Sequence, residues 1–414
     1  MTSIVKQRIE QIRCGEVPDG YKRTKIGIVP SEWEDTLFSD LFTSTSDYTD
    51  DLRKYPLYSL TIEDGITAKT ERYERSHLVK KENAYKIVRP NDFAYNPMNV
   101  RFGAVARHKG NGDVSISGYY DIFTTKISSD LEFMDSFLIS DNMITYYNKV
   151  SIGSLVEKQR VHFSQFMDFR LPLPPEAERK RIADILSKQD KLITLKEKLV
   201  EEKKRQKMYL VQELISGKRR LEGFSENWCD TPLKNFLYEH SARNSDRSVT
   251  NVLSISNRHG FLNQTEQFGK RVASEDLSTY KLITNDCIAY NPSRINVGSI
   301  ALYKGNVPGI ISPMYVVFKT NKNLIPEYLI ELTKTNLFHQ KMKNLLSGSV
   351  RDSLKFSDLC YMSFKIPSKE EQLSILEIIL NADKEILLLQ QSLNQEKQKK
   401  KALMQLLLTG IVRV

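Results

Sequence analysis

An internal repeat of about 195 residues constrains this chain more than any other feature of its sequence. The only two tryptophans, Trp33 and Trp228, lie 195 residues apart, and Ala-Tyr-Asn-Pro at 94–97 returns at 289–292. Further along the chain the offset becomes 193 residues, as between Gly217 and Gly410. Repeats of ~20–50 residues build solenoids or propellers, so a period this long is a whole domain plus a connector. The 414-residue chain is therefore predicted to contain two copies of a globular domain and two copies of a long helix.

Each globular copy shows strand and helix signals in the same order. Short β-rich runs predict strands, and an apolar period of ~3.6 residues predicts one helix after them. In the first copy the predicted strands are 84–88, 103–106 and 121–125, with a turn at 110–113 and a helix at 131–147. In the second copy the strands are 286–290, 297–303 and 314–319, and the helix is 325–343. Both copies are therefore predicted to be α+β domains.

A long uninterrupted helix follows each globular copy. Residues 178–215 and 370–408 contain neither glycine nor proline, and a glycine stands after each, where a helix stop is expected. Apolar residues spaced by four and three predict a coiled-coil seam, which is more regular in the second helix. The predicted seam residues are Ile182, Leu186, Ile193, Val200, Leu210, Leu214, Ile375, Ile379, Ile386, Leu389, Leu393, Leu403 and Leu407. Helices of this length would be about 57 Å long and could act as spacers; the alternative is that each folds back on its own domain.

The repeat also predicts where the parts of the chain begin and end. They are an N-terminal segment that caps the repeat (1–30), a first globular domain (31–175), a first spacer helix (176–220), a second globular domain (221–368) and a second spacer helix (369–414).

Charge and cysteine usage limit the possible partners and the compartment. The net charge of +10 points toward a polyanion, most often nucleic acid, although many basic proteins bind none. No apolar run reaches the ~18 residues of a membrane span, and the N-terminus lacks the apolar core of a signal peptide. The four cysteines form no C-x-x-C pair, so neither a zinc site nor a disulfide framework is expected. We therefore expect a cytoplasmic protein without membrane contact.

Motifs for catalysis are few. Tyr-Asn-Pro at 95–97 and 290–292 invites comparison with the Asn-Pro-Pro-aromatic motif of amino-methyltransferases. No glycine-rich loop for S-adenosylmethionine precedes either copy, and no Walker A loop or clustered carboxylate set for Mg²⁺ is present. The six histidines are scattered without metal-ligand spacing. The sequence therefore predicts a binding protein with no catalytic residue and no metal site.

Polar loops in both copies carry the residue types that read duplex DNA. Lysine, arginine and main-chain amides contact phosphates, whereas arginine, asparagine and glutamine read base edges. Arg294 aligns with Asn99, so the two loops share a frame with different contents. The alternative is a structural role as an Asn-Pro turn before a strand, and we prefer this role for Pro97 and Pro292. The predicted DNA-binding residues are Tyr95, Asn96, Asn99, Arg101, Lys109, Gln159 and Arg160 in the first copy and Tyr290, Asn291, Arg294, Asn296, Lys304, Arg351 and Lys355 in the second.

Several segments resemble the specificity subunits of type I restriction-modification systems. Residues 20–33 (GYKRTKIGIVPSEW) resemble the entry to these subunits, and 171–183 (LPLPPEAERKRIA) resemble their passage from a strand into the conserved helix. Residues 214–221 and 407–414 resemble the helix ends. Arg179 replaces the glutamine that the family usually has after glutamate, whereas the second copy keeps Glu371-Gln372. The resemblance covers essentially the whole chain.

The resemblance implies a division of labour. Each globular copy would be a target recognition domain reading one half of a bipartite, gapped site in double-stranded DNA. The two long helices would pair antiparallel, fix the half-site separation and dock two methyltransferase subunits that methylate adenine. Restriction subunits, which drive translocation and cleavage, would join the complex. S-adenosylmethionine, ATP and Mg²⁺ would be bound by these partner subunits, and the chain itself would hold no cofactor.

Two alternatives from other classes remain at this point. One is a self-sufficient DNA modification enzyme, which the missing cofactor loop disfavours. The other is a coiled-coil scaffold that binds protein only, which the charge and the duplicated polar loops disfavour.

Overall fold

The chain divides into two compact units that both include parts of the long helices. The structure is a computed structural model that describes residues 3–68, 84–155, 158–257, 259–263, 276–346 and 353–414. Residues 1–197 and 392–414 form the first unit, and residues 198–391 form the second unit. Both boundaries fall inside a long helix, so each unit combines one globular domain with a segment of each long helix.

The first unit is an α+β domain with helices packed against antiparallel sheets. Its helices are α1 (Ser3–Arg13), α2 (Phe38–Leu41), α3 (Leu131–Phe137), α4 (Asp141–Val150), α5 (Phe163–Met167) and the start of α6 (Glu176–Ile215). Its strands are β1 (Tyr21–Thr24), β2 (Gly27–Pro30), β3 (Glu34–Leu37), β4 (Phe42–Thr45), β5 (Tyr48–Thr49), β6 (Tyr58–Thr61), β7 (Gly65–Ala68), β8 (Tyr85–Val88), β9 (Phe93–Tyr95), β10 (Val105–Arg107), β11 (Val114–Ser117), β12 (Asp121–Thr125) and β13 (Arg170–Leu173). The larger sheets have the orders β10-β9-β12-β4 and β11-β8-β5.

The second unit repeats this plan. Its strands are β14 (Cys229–Pro232), β15 (Leu237–Glu239), β16 (Leu253–Ser256), β17 (Gly260–Asn263), β18 (Lys281–Ile283), β19 (Ile288–Tyr290), β20 (Ile300–Leu302), β21 (Gly309–Ile311), β22 (Val316–Thr320) and β23 (Ser363–Ile366). Its helices are α7 (Pro326–Thr333), α8 (Asn336–Leu346), α9 (Phe356–Tyr361) and the start of α10 (Lys369–Leu407). The sheet order β20-β19-β22-β15 matches β10-β9-β12-β4 of the first unit strand for strand.

The helix predicted once in each domain is in fact two helices. Ser140 begins α4, because its side-chain oxygen accepts a hydrogen bond from the Met143 amide at 3.4 Å. Thr335 plays the same part before α8, since its hydroxyl accepts from the Phe338 amide at 3.2 Å. A side-chain acceptor of this kind satisfies an amide at a helix start. The prediction of one continuous helix over 131–147 and over 325–343 is therefore wrong, because each range is interrupted near its midpoint.

An apolar core fills each unit. In the first unit Phe38, Phe42, Phe93, Phe123 and Phe166 are all at most 1% exposed. Their rings meet edge-on or stacked, as Phe42 and Phe123 do with centroids 4.9 Å apart. Such aromatic pairs add about 0.5–1.5 kcal/mol beyond the area that they bury. The burial of these side chains is what holds the sheets against α5.

The long helices run antiparallel in each unit. In the first unit Asp190 and Lys196 form ion pairs with Lys400 and Glu396, and in the second unit Lys203 pairs with Glu385 at 2.7 Å. The predicted seam residues face inward: Leu210, Leu389, Leu393 and Leu403 are half-buried and the other nine are buried. The helices therefore pair as an antiparallel coiled coil.

A hydrogen-bonded cluster of tryptophan, glutamate and arginine recurs at the same place in both units. In the first unit the buried Glu178 carboxylate accepts from Trp33 Nε1 at 3.3 Å and from Arg413 Nε at 2.6 Å. In the second unit Glu371 accepts from Trp228 Nε1 at 2.8 Å and from Arg220 Nε at 2.8 Å. The arginine comes from the segment that follows α10 in the first case and from the segment that follows α6 in the second. Each cluster links the tryptophan near the start of a globular domain to the first turn of one long helix and to the segment that follows the other long helix.

The N-terminal segment packs against the end of the chain. Tyr21 donates its hydroxyl to the Gly410 carbonyl at 2.7 Å. Gly410 has a φ of 69°, and a side chain there would collide with Pro30 and Trp33. Glycine is required at this helix end for both reasons.

Candidate nucleic-acid interface

Two loops with the same backbone follow the equivalent strands β9 and β19. Residues 96–103 and 291–298 each contain a short 3-10 turn and end in a glycine with positive φ, 96° at Gly103 and 88° at Gly298. Asn96 uses its side-chain oxygen to accept from the Met98 amide at 3.1 Å, and Asn291 accepts in the same way from Ser293. These asparagines, predicted as DNA contacts, thus shape the backbone of their own loops.

A buried tyrosine supports each loop from inside. Tyr95 donates its hydroxyl to the Val161 carbonyl at 2.9 Å, and Tyr290 donates to the Leu354 carbonyl at 3.2 Å. Burial raises the pKa of both phenols well above their ordinary value, so each remains a donor. Both rings are 0% exposed, so neither tyrosine, although predicted to contact DNA, is available at the surface.

The same two residues that accept from the tyrosines also hold the loops by their amides. Val161 donates its N–H to the Pro97 carbonyl, and Leu354 donates to the Pro292 carbonyl, each at 3.0 Å. The loop and the second predicted patch, at 158–162 in the first unit and 353–355 in the second, are therefore brought together in both units.

Arginine in the first loop is turned inward. Arg101 is 9% exposed, and its Nη1 donates to Gln159 Oε1 at 3.0 Å. Its guanidinium also lies over the Phe102 ring, 4.4 Å from the centroid. Arg101 and Gln159, both predicted to contact DNA, bind each other instead, and Asn99 is the exposed polar residue of this loop. Arg160 is half-buried beside them.

Arginine in the second loop is turned outward. Arg294 and Asn296 are exposed, as is Lys355 at the start of α9. The predicted contact Arg351 lies outside the described residues. The second loop therefore presents a cation and an amide to solvent where the first presents Asn99 and Phe102.

Both loops expose an apolar side chain directly before their glycine, which the sequence analysis missed. Phe102 is 48% exposed and Val297 is 54% exposed. A signal was available, because both residues occupy the same position of the repeat. Apolar groups at such a surface can contact a thymine methyl group or a base step.

Two of the three predicted lysines, Lys109 and Lys304, are already engaged by carboxylates. Lys109 Nζ lies 2.6 Å from Asp135, and Lys304 Nζ lies 2.9 Å from Asp286 and 2.5 Å from Glu327. All of these side chains reach solvent, so each pair is weak and can be exchanged for a phosphate.

Neither a metal centre nor a membrane helix emerges from the described part of the chain. Histidine, cysteine and carboxylate side chains do not gather there in groups of three or more that could hold an ion. No helix in the described ranges combines the length and the apolar character that a membrane span requires.

Comparison with known proteins points to one family. The family model described as "Type I restriction modification DNA specificity domain" matches residues 30–204 and 248–398, which is most of the chain in two copies. Two curated relatives come from Methanocaldococcus jannaschii. The MjaX type I restriction enzyme specificity subunit is 23% identical over 421 residues, covering 96% of this chain and 97% of its own. The MjaVIII specificity subunit is 24% identical over 422 residues, covering 93% and 94%.

A solved structure shares the fold. It is a chain from work on complex assembly and conformational transition of the type I R-M system, with a TM-score of 0.55 and 13% identity. The likeness covers 93% of this chain and 99% of that chain. At this identity the match speaks for the tandem α+β architecture with long helices.

Proposed function

Because the chain belongs to the type I restriction-modification DNA specificity family, we propose that it reads a bipartite, gapped site in double-stranded DNA, one half-site with each unit. The chain is a non-catalytic specificity subunit with two DNA recognition domains. The finer assignment concerns which surfaces read which half of the site. The recognition surface of each unit is centred on its loop, 96–103 or 291–298.

One observation carries this proposal: an identical loop frame displays different side chains in the two units. The frame consists of the buried tyrosine, the main-chain hydrogen bond from Val161 or Leu354 to the proline of the loop, and the positive-φ glycine. The exposed side chains are Asn99 and Phe102 in one loop and Arg294, Asn296 and Val297 in the other. Donors, acceptors and apolar groups distinguish base pairs in the major groove. Two readers with equal backbones and unequal surfaces suit two half-sites of different sequence.

The long helices supply the gap between the half-sites. α6 and α10 contain 40 and 39 residues, so each is about 60 Å long. In both units they are joined by interhelical ion pairs, such as Lys207 to Asp383 at 2.6 Å. A helix pair braced in this way acts as a spacer, and half-sites about one helical turn apart are typical of two-headed readers.

The helices also dock two methyltransferase subunits. Leu195 and Leu388 occupy the same position of the repeat and are 64% and 65% exposed. Their equivalent exposure suits two copies of one partner. S-adenosylmethionine, ATP and Mg²⁺ are bound by the methyltransferase and restriction subunits, and this chain contributes sequence recognition alone.

A domain exchange tests the proposal. Residues 221–368 are replaced by those of a related specificity subunit, and the sites methylated by the assembled complex are sequenced. We expect one half of the recognised motif to change, while the other half keeps its sequence and its position relative to the gap. Change in both halves, or in neither, would contradict the assignment of one half-site to each unit.

A further inference from the structure

A second loop of the second unit lies at the same end of the sheet as the recognition loop 291–298. In the sheet β20-β19-β22-β15, β19 ends at Tyr290 beside the start of β22. The chain leaves β15 at this same end, because the His240 amide donates to the Val317 carbonyl at 2.9 Å. β15 lies two strands from β19, which is about 10 Å. Residues 244–249, which follow β15, therefore belong to the end of the unit that carries the recognition loop.

The path of the chain after β15 supports this placement. Arg243 pairs with Lys281, and the Lys281 ammonium donates to the Tyr315 carbonyl at 2.8 Å. Tyr315 directly precedes β22. The loop that begins at residue 244 is therefore fastened beside the start of β22 and continues away from the sheet.

A fully buried asparagine holds the loop together. Asn244 is 0% exposed, its side-chain oxygen accepts from the Val249 amide at 3.1 Å, and its Nδ2 donates to the Val249 carbonyl at 2.8 Å. Its main-chain amide donates to the Tyr280 carbonyl at 3.0 Å, and its carbonyl accepts from the Arg247 amide at 2.9 Å. Both ends of the loop are thus tied to one residue, which fixes the backbone between them.

The arginine in this loop has a strained backbone. Arg247 has a φ of 57°, a left-handed conformation that is unfavourable for most residues with a Cβ. Asn91 and Asp286, the other non-glycine residues with positive φ in the described ranges, are types that adopt it readily. The Arg247 side chain is 68% exposed, and its ion pair with the exposed Asp276, at 3.3 Å, contributes little to stability. Strained positions that the surrounding structure holds in place are typical of binding sites.

The equivalent loop of the first unit lacks this strain. Asp51 and Asp246 occupy the same position of the repeat, and each carboxylate accepts from the amide two residues later, at 3.1 and 3.2 Å. The first loop exposes two cations, Arg53 and Lys54, and none of residues 49–54 has a positive φ. Positive charge at this position of the repeat therefore does not require a strained backbone. The strain in the second unit indicates a need for direction as well as charge.

We propose that residues 244–249 form a second reading loop of the second unit, and that Arg247 binds a guanine of its half-site through two hydrogen bonds. This inference rests on the proposed function, which assigns one half of the DNA site to the second unit. A guanidinium presents two parallel N–H groups to O6 and N7 of guanine, so the contact depends on direction. The fixed backbone at Arg247 supplies that direction. The major groove is about 12 Å wide, so loops on strands about 10 Å apart can reach one half-site together.

The test uses the full chain assembled with its methyltransferase subunits and duplexes that carry the methylated motif. Arg247→Gly removes the guanidinium and relaxes the backbone, whereas Arg247→Lys keeps the charge without the paired N–H groups. Asp276→Asn breaks the ion pair but keeps the side-chain oxygen that accepts from the Ser278 amide at 3.0 Å, so it is the matched control. Each guanine of the motif is replaced in turn by 7-deazaguanine, which lacks the N7 acceptor.

One guanine of the second half-site should respond to Arg247. Replacing it by 7-deazaguanine weakens wild-type binding about 10-fold, but weakens binding by Arg247→Gly and Arg247→Lys less than about twofold. Both variants bind the unaltered motif about 10- to 100-fold more weakly than wild type, and Asp276→Asn stays within about twofold. Urea unfolding of the second unit is reported by Trp228 fluorescence in a Trp33→Phe background. Its midpoint does not fall in Arg247→Gly, because glycine fits the φ of 57°.

The contrary results are distinct. An equal loss on every duplex would make Arg247 a phosphate contact, and a second half-site without a G·C pair, or a response confined to the first half-site, would exclude the assigned base. Weaker binding by Asp276→Asn, together with a lower unfolding midpoint in Arg247→Gly, would give the arginine a structural role. Each of these results overturns the inference and leaves the proposed function standing. A wild-type complex that distinguishes no duplex from any other would overturn both.

Discussion

The two recognition loops have one backbone and opposite uses of arginine. In the first unit Arg101 is 9% exposed and bound to Gln159, whereas in the second unit Arg294 is exposed to solvent. Both loops rest on a tyrosine that is 0% exposed. The repeat therefore preserves the buried supports of the loop while its surface positions diverge. Substitution of a buried support should therefore lower the stability of its unit, to the same extent in either unit. Substitution of an exposed loop residue should weaken DNA recognition by its own unit only.

The largest expected effect comes from removing the shared support. Tyr95→Ala and Tyr290→Ala each remove a fully buried ring and a buried hydrogen bond, and should destabilise their own unit by about 3–5 kcal/mol. Each unit contains one tryptophan, Trp33 or Trp228. Urea unfolding followed by fluorescence in single-tryptophan backgrounds therefore reports each unit separately. A loss of stability in only one of the two tyrosine variants would show that the two units do not share this support.

The next effect should appear in recognition without loss of stability. Arg294→Ala removes an exposed cation and should weaken binding to the correct half-site by about 1–3 kcal/mol, with unfolding unchanged. Arg294→Lys keeps the charge but lacks the planar five-donor fork of arginine, so it is the matched control. Competition binding against duplexes altered in one half-site provides the measurement. An equal loss on every sequence would make Arg294 a phosphate contact.

Arg101 should behave in the opposite way. Arg101→Ala and Gln159→Ala each break the 3.0 Å contact between the loop and the segment after it. Each should reduce the stability of the first unit by about 1–2 kcal/mol, and the two losses should not add. A double-mutant cycle measured by urea unfolding checks this. Additive losses of stability would mean that the two side chains act independently. A loss of DNA specificity with unchanged stability would mean that Arg101 contacts DNA.

The smallest effect is expected at the exposed apolar positions. Phe102→Ala and Val297→Ala change side chains that are about half exposed, so stability should stay within about 0.5 kcal/mol. Discrimination for thymine over uracil in a substituted duplex should fall in the altered half-site only. Equal discrimination before and after substitution would show that neither side chain approaches a base.

Much of the architecture could be predicted because the repeat is visible in the sequence. The stretches 178–215 and 370–408, which lack glycine and proline, show heptad spacing and repeat at an offset of 193 residues, predicted both long helices, which span Glu176–Ile215 and Lys369–Leu407. The glutamate and arginine of the recurring cluster could also have been found, since Glu178 and Glu371, like Arg220 and Arg413, share that offset. What identified the helices was a long-range pattern and not local propensity alone.

The orientation of side chains could not be predicted. Tyr95 and Arg101 have residue types that suit a DNA surface, but their partners lie 66 and 58 residues further along the chain. Only the folded domain brings those partners close. The interruption of each predicted helix, by contrast, could have been predicted, because Ser140 and Thr335 are residue types that favour a helix start and lie inside a long apolar period.

The most direct test is to sequence the methylated adenines of the host genome with this gene intact and with it deleted. Deletion is expected to remove methylation from one bipartite, gapped motif, whose two halves are then assigned to the two units by the domain exchange. An unchanged pattern of adenine methylation, with the partner subunits expressed, would contradict it.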